Sequence, residues 1–248
     1  MAELLYGRNA IRETLRSERR SVLRLLVSAG AQEVGTLADI IKLAEQRKIP
    51  VARVDRKELD KRLRDVNHQG VALECGEYPY VELEDCLALA EERGEPAFLL
   101  MLDHLQDPQN VGTLLRTAEV VGAHGVVIPG RRAAEITPAV VNASSGATEH
   151  LRIASVANLS QAIETCQEAG IWVVGVEDDP RAQEIDRAEL DIPIALVLGA
   201  EGPGLARLTR ERCDFMVKLP MSGQIASLNV AVAGSIALYT AWRARAKA

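Results

Sequence analysis

The sequence predicts an α/β protein, with a small α/β unit ahead of a larger one built on a mostly parallel, doubly covered sheet. Three observations predict it. Short apolar runs alternate with stretches of helical period along the whole chain. The runs AFLLMLD (97–103), IWVVGVE (171–177) and IALVLG (194–199) are apolar at nearly every position, as strands buried on both faces are. Charge is divided as well. Residues 1–70 carry 15 Lys and Arg against 10 Asp and Glu, whereas the rest of the chain, with an overall net of −6, is strongly acidic. A basic first unit on an acidic body fits a module that captures an anionic polymer beside a catalytic domain.

The first unit is expected over residues 1–75. GRNAIRETLRS reads as a helix with Ala10, Ile11 and Leu15 near helical spacing. VLRLLVSA is a strand, Val34 to Arg47 a helix, and IPVARV a short strand. Asp55 is placed to cap a helix over DRKELDKRL, and GVALEC closes the unit as a strand. Residues 76–95, with Pro79 and Gly94, are expected to form a linker. The second unit, 96–248, opens on AFLLMLD. A helix over TLLRTAEVVG follows, then the strand HGVVIP, a helix over Leu159–Gly170, the two apolar strands at 171 and 194, the strand FMVKLP, and an apolar helix from about Ile225.

Composition removes several function classes. The longest nearly uncharged stretch, Leu219 to Trp242, is interrupted by Pro220, Ser222, Gly223, Gln224, Ser227 and Asn229, which makes it a poor membrane span. The charged N-terminus has no apolar signal region, so the expected location is the cytoplasm. Cys75, Cys86, Cys166 and Cys213 form no CxxC pair, and His68, His104, His124 and His150 have no ligand spacing. No metal is expected.

Ligands of open parallel sheets bind at the carboxyl ends of the strands, and three loops there are unusual. DHLQDPQNVGTLLR (103–116) has an Asp107–Pro108 turn, Asn110 as a candidate helix cap, Gly112, and Arg116 more than one turn deeper. LGAEGPG (198–204) surrounds Glu201 with glycines that let backbone groups face a ligand, yet it is neither GxGxxG nor a phosphate-binding GK[ST] loop. Leu219–Val232 (LPMSGQIASLNVAV) places Ser227 and Asn229 at the start of an apolar helix, where they either cap backbone or face a polar ligand. Each loop alone is equally an ordinary turn or capped helix. Together they supply carboxylate, guanidinium, amide and hydroxyl at one sheet edge.

In these residues the chain resembles the SpoU-type branch of the knotted RNA 2′-O-methyltransferases. The motifs stand in order: Asn110, Gly112 and Arg116, then Gly199, Glu201 and Gly204, then Pro220, Met221, Gly223, Ser227, Leu228 and Asn229. YGRNAIRETL, NHQGVALE and SSGATEHL resemble the bacterial large-subunit ribosomal RNA guanosine-2′-O-methyltransferases within that branch. Ala226 and Ala231 depart from it, standing where related sequences often carry polar residues.

The resemblance implies an α/β trefoil-knot domain, a rare exception to unknotted topology, behind a small ribosomal-protein-like α/β domain. It implies S-adenosylmethionine as cofactor, held by Gly199, Leu219, Met221 and Leu228, and a reacting centre of Asn110, Arg116, Glu201, Ser227 and Asn229. It further implies ribosomal RNA as substrate and a homodimer formed through the apolar C-terminal helix. The same class acting on transfer RNA, a resistance-type enzyme, and a catalytically silent RNA-binding protein stay open. With aromatics at 3%, RNA recognition rests on shape, charge and hydrogen bonds more than on stacking.

Overall fold

The computed structural model describes residues 2–130, 135–225 and 227–246; Ala226 lies outside them. Two units share the chain, and their boundary is not a single cut. The first unit joins Met1–Pro79 to Ile136–His150, and the second joins Tyr80–Glu135 to Leu151–Ala248.

The first unit runs β1 (Glu3–Tyr6), α1 (Arg8–Ser17), β2 (Val22–Ser28), α2 (Thr36–Gln46), β3 (Val51–Val54), α3 (Arg56–Arg62) and β4 (Val71–Cys75). Its strands form one mixed sheet in the order β1-β4-β2-β3. β1 was not expected from the sequence; its four residues ELLY stand directly ahead of the GRNAIRETLRS helix. Asp55 caps α3 as expected, its side chain accepting from the backbone N–H of Lys57 at 2.8 Å. Leu59, buried among Leu26 and Ala72, ties α3 to the sheet.

The segment 136–150 completes this unit. It carries a short helix, then a 3-10 turn at Ala147–His150. Its packing demands glycine. A Cβ on Gly146, at φ +88°, would lie 2.7 Å from Glu13 Cβ and 3.2 Å from the Cα of Ala10. Two charges are buried here without solvent. Arg20 Nε donates to both carboxylate oxygens of Glu149 at 3.1 Å, and its Nη1 reaches Glu3 Oε2 at 2.5 Å. The Tyr78 ring lies 4.9 Å from the Arg20 guanidinium, and its hydroxyl donates to the Thr148 carbonyl at 2.7 Å.

The second unit opens on α4 (Leu83–Arg93), which occupies most of the stretch expected to be a linker. Leu83, Cys86 and Ala90 are apolar at helical spacing and buried in the second unit's core, so this segment is a packed helix. There follow β5 (Phe98–Asp103), α5 (Pro108–Val120), β6 (Gly125–Pro129), the first unit's helix α6 (Pro138–Ala143), β7 (Ile153–Val156), α7 (Leu159–Glu168), β8 (Trp172–Val176), β9 (Gln183–Glu184), β10 (Ile194–Gly199), α8 (Arg207–Arg212), β11 (Phe215–Lys218) and α9 (Val230–Arg245). The seven strands lie in the order β7-β6-β5-β10-β8-β11-β9, and every described pair is parallel.

β5 and β10 form the centre, in register from Ile194 opposite Phe98 to Gly199 opposite Asp103, and buried at every position. Alternate residues serve opposite faces. Leu99, Met101, Ala195 and Val197 pack with α4 and α7, while Leu198 and Leu114 meet α9 at Gly234. That approach is tight, since a Cβ on Gly234 would sit 2.3 Å from Leu198 Cδ1. Each fully buried Leu of this kind contributes roughly 1.5–3 kcal/mol. Among the described residues no helix is long and apolar enough to cross a membrane.

Candidate functional site at the carboxyl edge of the sheet

β5 and β10 end side by side at Asp103 and Gly199, so the loops that follow them leave from one edge. α5 begins at Pro108, five residues earlier in the chain than the expected start at Thr113. Its cap is Asp107, whose side chain accepts from the N–H of Asn110 at 2.9 Å. Asn110 is therefore not the cap. It sits in the first turn, and its amide is available for other partners.

The loop after β10 closes on itself. Ala200 and Gly204 exchange backbone hydrogen bonds at 3.0 and 2.9 Å, which leaves Glu201 near the tip. The closure needs glycine at its base, because a Cβ on Gly199 would meet the Gly204 carbonyl carbon at 2.2 Å. Two carboxylates brace the loop from outside. Asp103 Oδ2 accepts from the N–H of Ala206 at 2.7 Å. Glu177, at the end of β8, accepts from the N–H of Leu205 at 3.0 Å and from Arg210 Nε at 2.6 Å. Sequence reasoning missed both. The signal available was an acidic residue placed directly after an apolar strand.

The third loop ends at Asn229, which caps α9 by accepting from the N–H groups of Ala231 and Val232 at 2.9 and 3.3 Å. α9 thus starts at Val230, later than the apolar run at Ile225 suggested, because Asn229 turns the chain into the helix. Asn229 also reaches across the edge. Its Nδ2 donates to Asn110 Oδ1 at 3.0 Å and to Glu201 Oε1 at 3.4 Å. Asn110 Nδ2 donates to Glu201 Oε2 at 3.2 Å. Three residues more than 25 positions apart in sequence thus form one closed hydrogen-bonded group.

Beside this group lies a cavity of about 610 Å³. Gly199, Leu219, Met221, Leu228, Ser227, Glu201 and Asn229 all line it. Val176, Leu198 and Ala233 give it apolar walls, and Glu177, Asp178 and Asp179 line one end together with Arg210 and Lys218, each carboxylate paired with a cation. Arg116 lines neither this cavity nor its neighbour. It is exposed on α5, about 9 Å along the helix axis from Asn110. The described residues contain no group of three His, Cys, Asp or Glu able to hold a metal ion.

A parallel α/β sheet with a cavity at its carboxyl edge, walled by side chains from three separate loops, defines a small-molecule-binding domain of the enzyme type. Comparison with known proteins narrows the class. Residues 97–239 match the SpoU rRNA Methylase family, and residues 4–81 match the RNA 2′-O ribose methyltransferase substrate-binding family. A Bacillus subtilis protein named as a TrmH family tRNA/rRNA methyltransferase, YacO, is 43% identical, with 98% of this chain and 96% of that protein covered. The 23S rRNA (guanosine-2′-O-)-methyltransferase RlmB of Pseudomonas putida is 38% identical over 98% of this chain and 97% of its own length. The crystal structure of the SpoU methyltransferase AviRb from Streptomyces viridochromogenes, in complex with AdoMet, shares the fold at a TM-score of 0.81. It is 24% identical, with 100% of this chain and 92% of that one covered. The chain belongs to the SpoU rRNA methylase family and is an RNA methyltransferase of that family. Its second unit has the α/β trefoil-knot fold expected from the motifs.

Proposed function

We propose that the protein transfers a methyl group from S-adenosylmethionine to the ribose 2′-OH of a guanosine in large-subunit ribosomal RNA, acting as a homodimer in the cytoplasm. The observation that carries this reading is the Asn110–Glu201–Asn229 group at the rim of a cavity that Gly199, Leu219, Met221 and Leu228 line. The cavity fits the cofactor chemically. Its apolar walls suit an adenosine, and the mixed charges at one end, acids beside Arg210 and Lys218, suit a molecule that carries both an ammonium and a carboxylate. When bound, the cofactor supplies a methyl group activated by positively charged sulfur.

The chain's own task is alignment and charge. Alignment of two reactants is worth roughly 7–11 kcal/mol in favourable systems. The closed hydrogen bonds fix Asn110, Glu201 and Asn229 in one arrangement, and Ser227 adds a hydroxyl at the same cavity. A guanidinium is a cation with no acceptor site, so the proton of the 2′-OH is assigned to solvent and not to Arg116. In this reading Arg116 binds a phosphate adjacent to the acceptor nucleotide. The basic first unit grips RNA phosphates. The name of the Pseudomonas relative supports guanosine and 23S ribosomal RNA as the target.

Exposed apolar side chains support the homodimer. α9 buries Ala231, Gly234, Ala237, Leu238 and Ala241 yet exposes Val232, Ile236 and Tyr239 at helical spacing, together with Trp242. A stripe of that kind marks an interface.

Mapping 2′-O-methyl groups on large-subunit ribosomal RNA, with and without the protein, tests the substrate. One guanosine that gains a methyl group is the expected result, and methylation confined to transfer RNA rejects it. Single-turnover rates of Arg116→Ala and Arg116→Lys test the arginine. Both are expected to fall, and a near-normal rate with Lys would remove the need for a planar guanidinium.

A further inference from the structure

A second cavity, of about 540 Å³, adjoins the first, and Ala200, Glu201, Gly204 and Val230 line both. Its own lining is the segment that follows β5, from Asp103 to Asp107, with Asn110. From this juxtaposition we infer that the second cavity receives the base of the acceptor nucleotide, and that the Asp107 carboxylate reads it as guanine. The inference rests on the transferase reading above and adds the residue that selects the substrate.

Position gives the first argument. Methyl transfer brings the acceptor oxygen in line with the departing sulfur, so the two reactants meet at one wall from opposite sides. With the cofactor in the first cavity, a ribose at the shared wall places its base in the second. Enzymes that act on a nucleotide within folded RNA draw it out of the stack and read its Watson–Crick edge in a pocket.

Chemistry gives the second. No Lys or Arg lines the cavity, and its polar side chains are carboxylates, an imidazole and amides. Such a lining repels phosphate and favours a neutral ring rich in N–H donors. Guanine alone among the four RNA bases presents two adjacent donors, N1–H and N2–H, and a carboxylate accepts both.

The hydrogen bonds say which carboxylate is available. Asp103 is buried, with one oxygen accepting from Ala206 and the other meeting His104 Nδ1. Glu201 already accepts from Asn110 on one oxygen and Asn229 on the other. Asp107 is exposed and its Oδ2 spends one acceptor site on the Asn110 N–H, so Oδ1 and the second lone pair of Oδ2 remain for the two adjacent donors of guanine. The loop is also held in an unusual shape. His104 has φ +60°, a left-handed backbone conformation uncommon outside glycine, and its ring is hydrogen-bonded to Asp103.

The test uses the full-length protein saturated with S-adenosylhomocysteine and the nucleosides guanosine, inosine and adenosine as probes, with binding read by saturation-transfer NMR. Inosine lacks the 2-amino group. The wild type is expected to bind guanosine about tenfold more tightly than inosine, the loss typical of one hydrogen bond to a charged group. Asp107→Asn, which retains a good helix cap, is expected to bind both alike with unchanged S-adenosylhomocysteine affinity. Asp107→Ser, another good cap, serves if that variant fails to fold. An unchanged guanosine preference in a folded variant overturns the inference, as does a wild type that holds the cofactor product yet ignores guanosine. Failure of the wild type to bind S-adenosylhomocysteine would instead bring down the transferase reading, and this inference with it.

Discussion

The two units solve the problem of burying polar groups in opposite ways. In the first, the polar contact is deep: Arg20 and Glu149 have fully buried side chains that join segments about 130 residues apart in the chain. In the second, the central strands are apolar up to their ends, with Asp103 and His124 the buried polar groups beside them, and the linked polar residues Asn110, Glu201 and Asn229 gather at the carboxyl edge, where solvent reaches them. A buried pair is costly to break and adds little net stability, so its value lies in specifying one arrangement. Polar groups at an edge carry less risk for the fold and remain available for chemistry.

The sharpest way to break this comparison is Glu149→Ala. It leaves the Arg20 charge buried with Glu3 as its remaining carboxylate partner, and a loss of about 3–5 kcal/mol is expected. Hydrogen exchange should show β1 to β4 losing protection while β5 and β10 keep theirs. Equal loss in both units would refute the division. It also follows that a cut after residue 75 does not isolate the first unit, because Ile136–His150 would remain without its partners.

Asn229 separates structure from chemistry at the edge. Asn229→Ala removes the cap of α9 and should cost about 1 kcal/mol in denaturant unfolding. Asn229→Ser keeps a cap but loses the amide that reaches Asn110 and Glu201. Methyl transfer should fall in both variants and stability in the alanine variant alone. Normal turnover with serine would make the closed group dispensable.

The cysteines report on each unit independently. Burial pushes the Cys75 thiol up to about 11 despite the nearby Arg20 charge, and pushes Cys86 and Cys166 up to about 12. All three should resist a disulfide reagent at pH 8 in the native protein. In Glu149→Ala, Cys75 should react first.

The smallest effect is expected at His124. Its Nδ1 accepts from the Phe98 N–H at 3.0 Å, so the neutral ring carries its proton on Nε2, facing Glu95 at 3.0 Å. Burial lowers its pKa below the usual 6.5, and the Glu95 carboxylate only partly offsets this. The unfolded chain therefore binds the proton more readily, and stability falls as pH drops below about 6.5. Thermal midpoints at pH 7.5 and 5 should show this drop reduced in His124→Gln.

Much of the second unit was legible because strands buried on both faces must be apolar at every position, so IALVLG matched β10 to the residue. Short elements were legible unevenly: the four-residue β3 and β11 were expected, while β1, β7 and β9 were not, since two to four residues carry no reliable period. α4 was placed in the linker, with only its charged end before Gly94 read as helical. At the site, the residue types and their loops were visible, while the hydrogen bonds among them were not.

By itself the sequence determined the residue types, the alternation of strands and helices, and the three loops that hold Asn110, Glu201 and Asn229, because those depend on local pattern. Only the tertiary structure decided that Asp107 and not Asn110 caps α5, that Asp103 and Glu177 brace the loop after β10, and that 136–150 belongs with the N-terminal unit. Each of these is a choice among partners distant in the chain. Local pattern says what a side chain is able to bond, and only packing in three dimensions says which partner comes within reach.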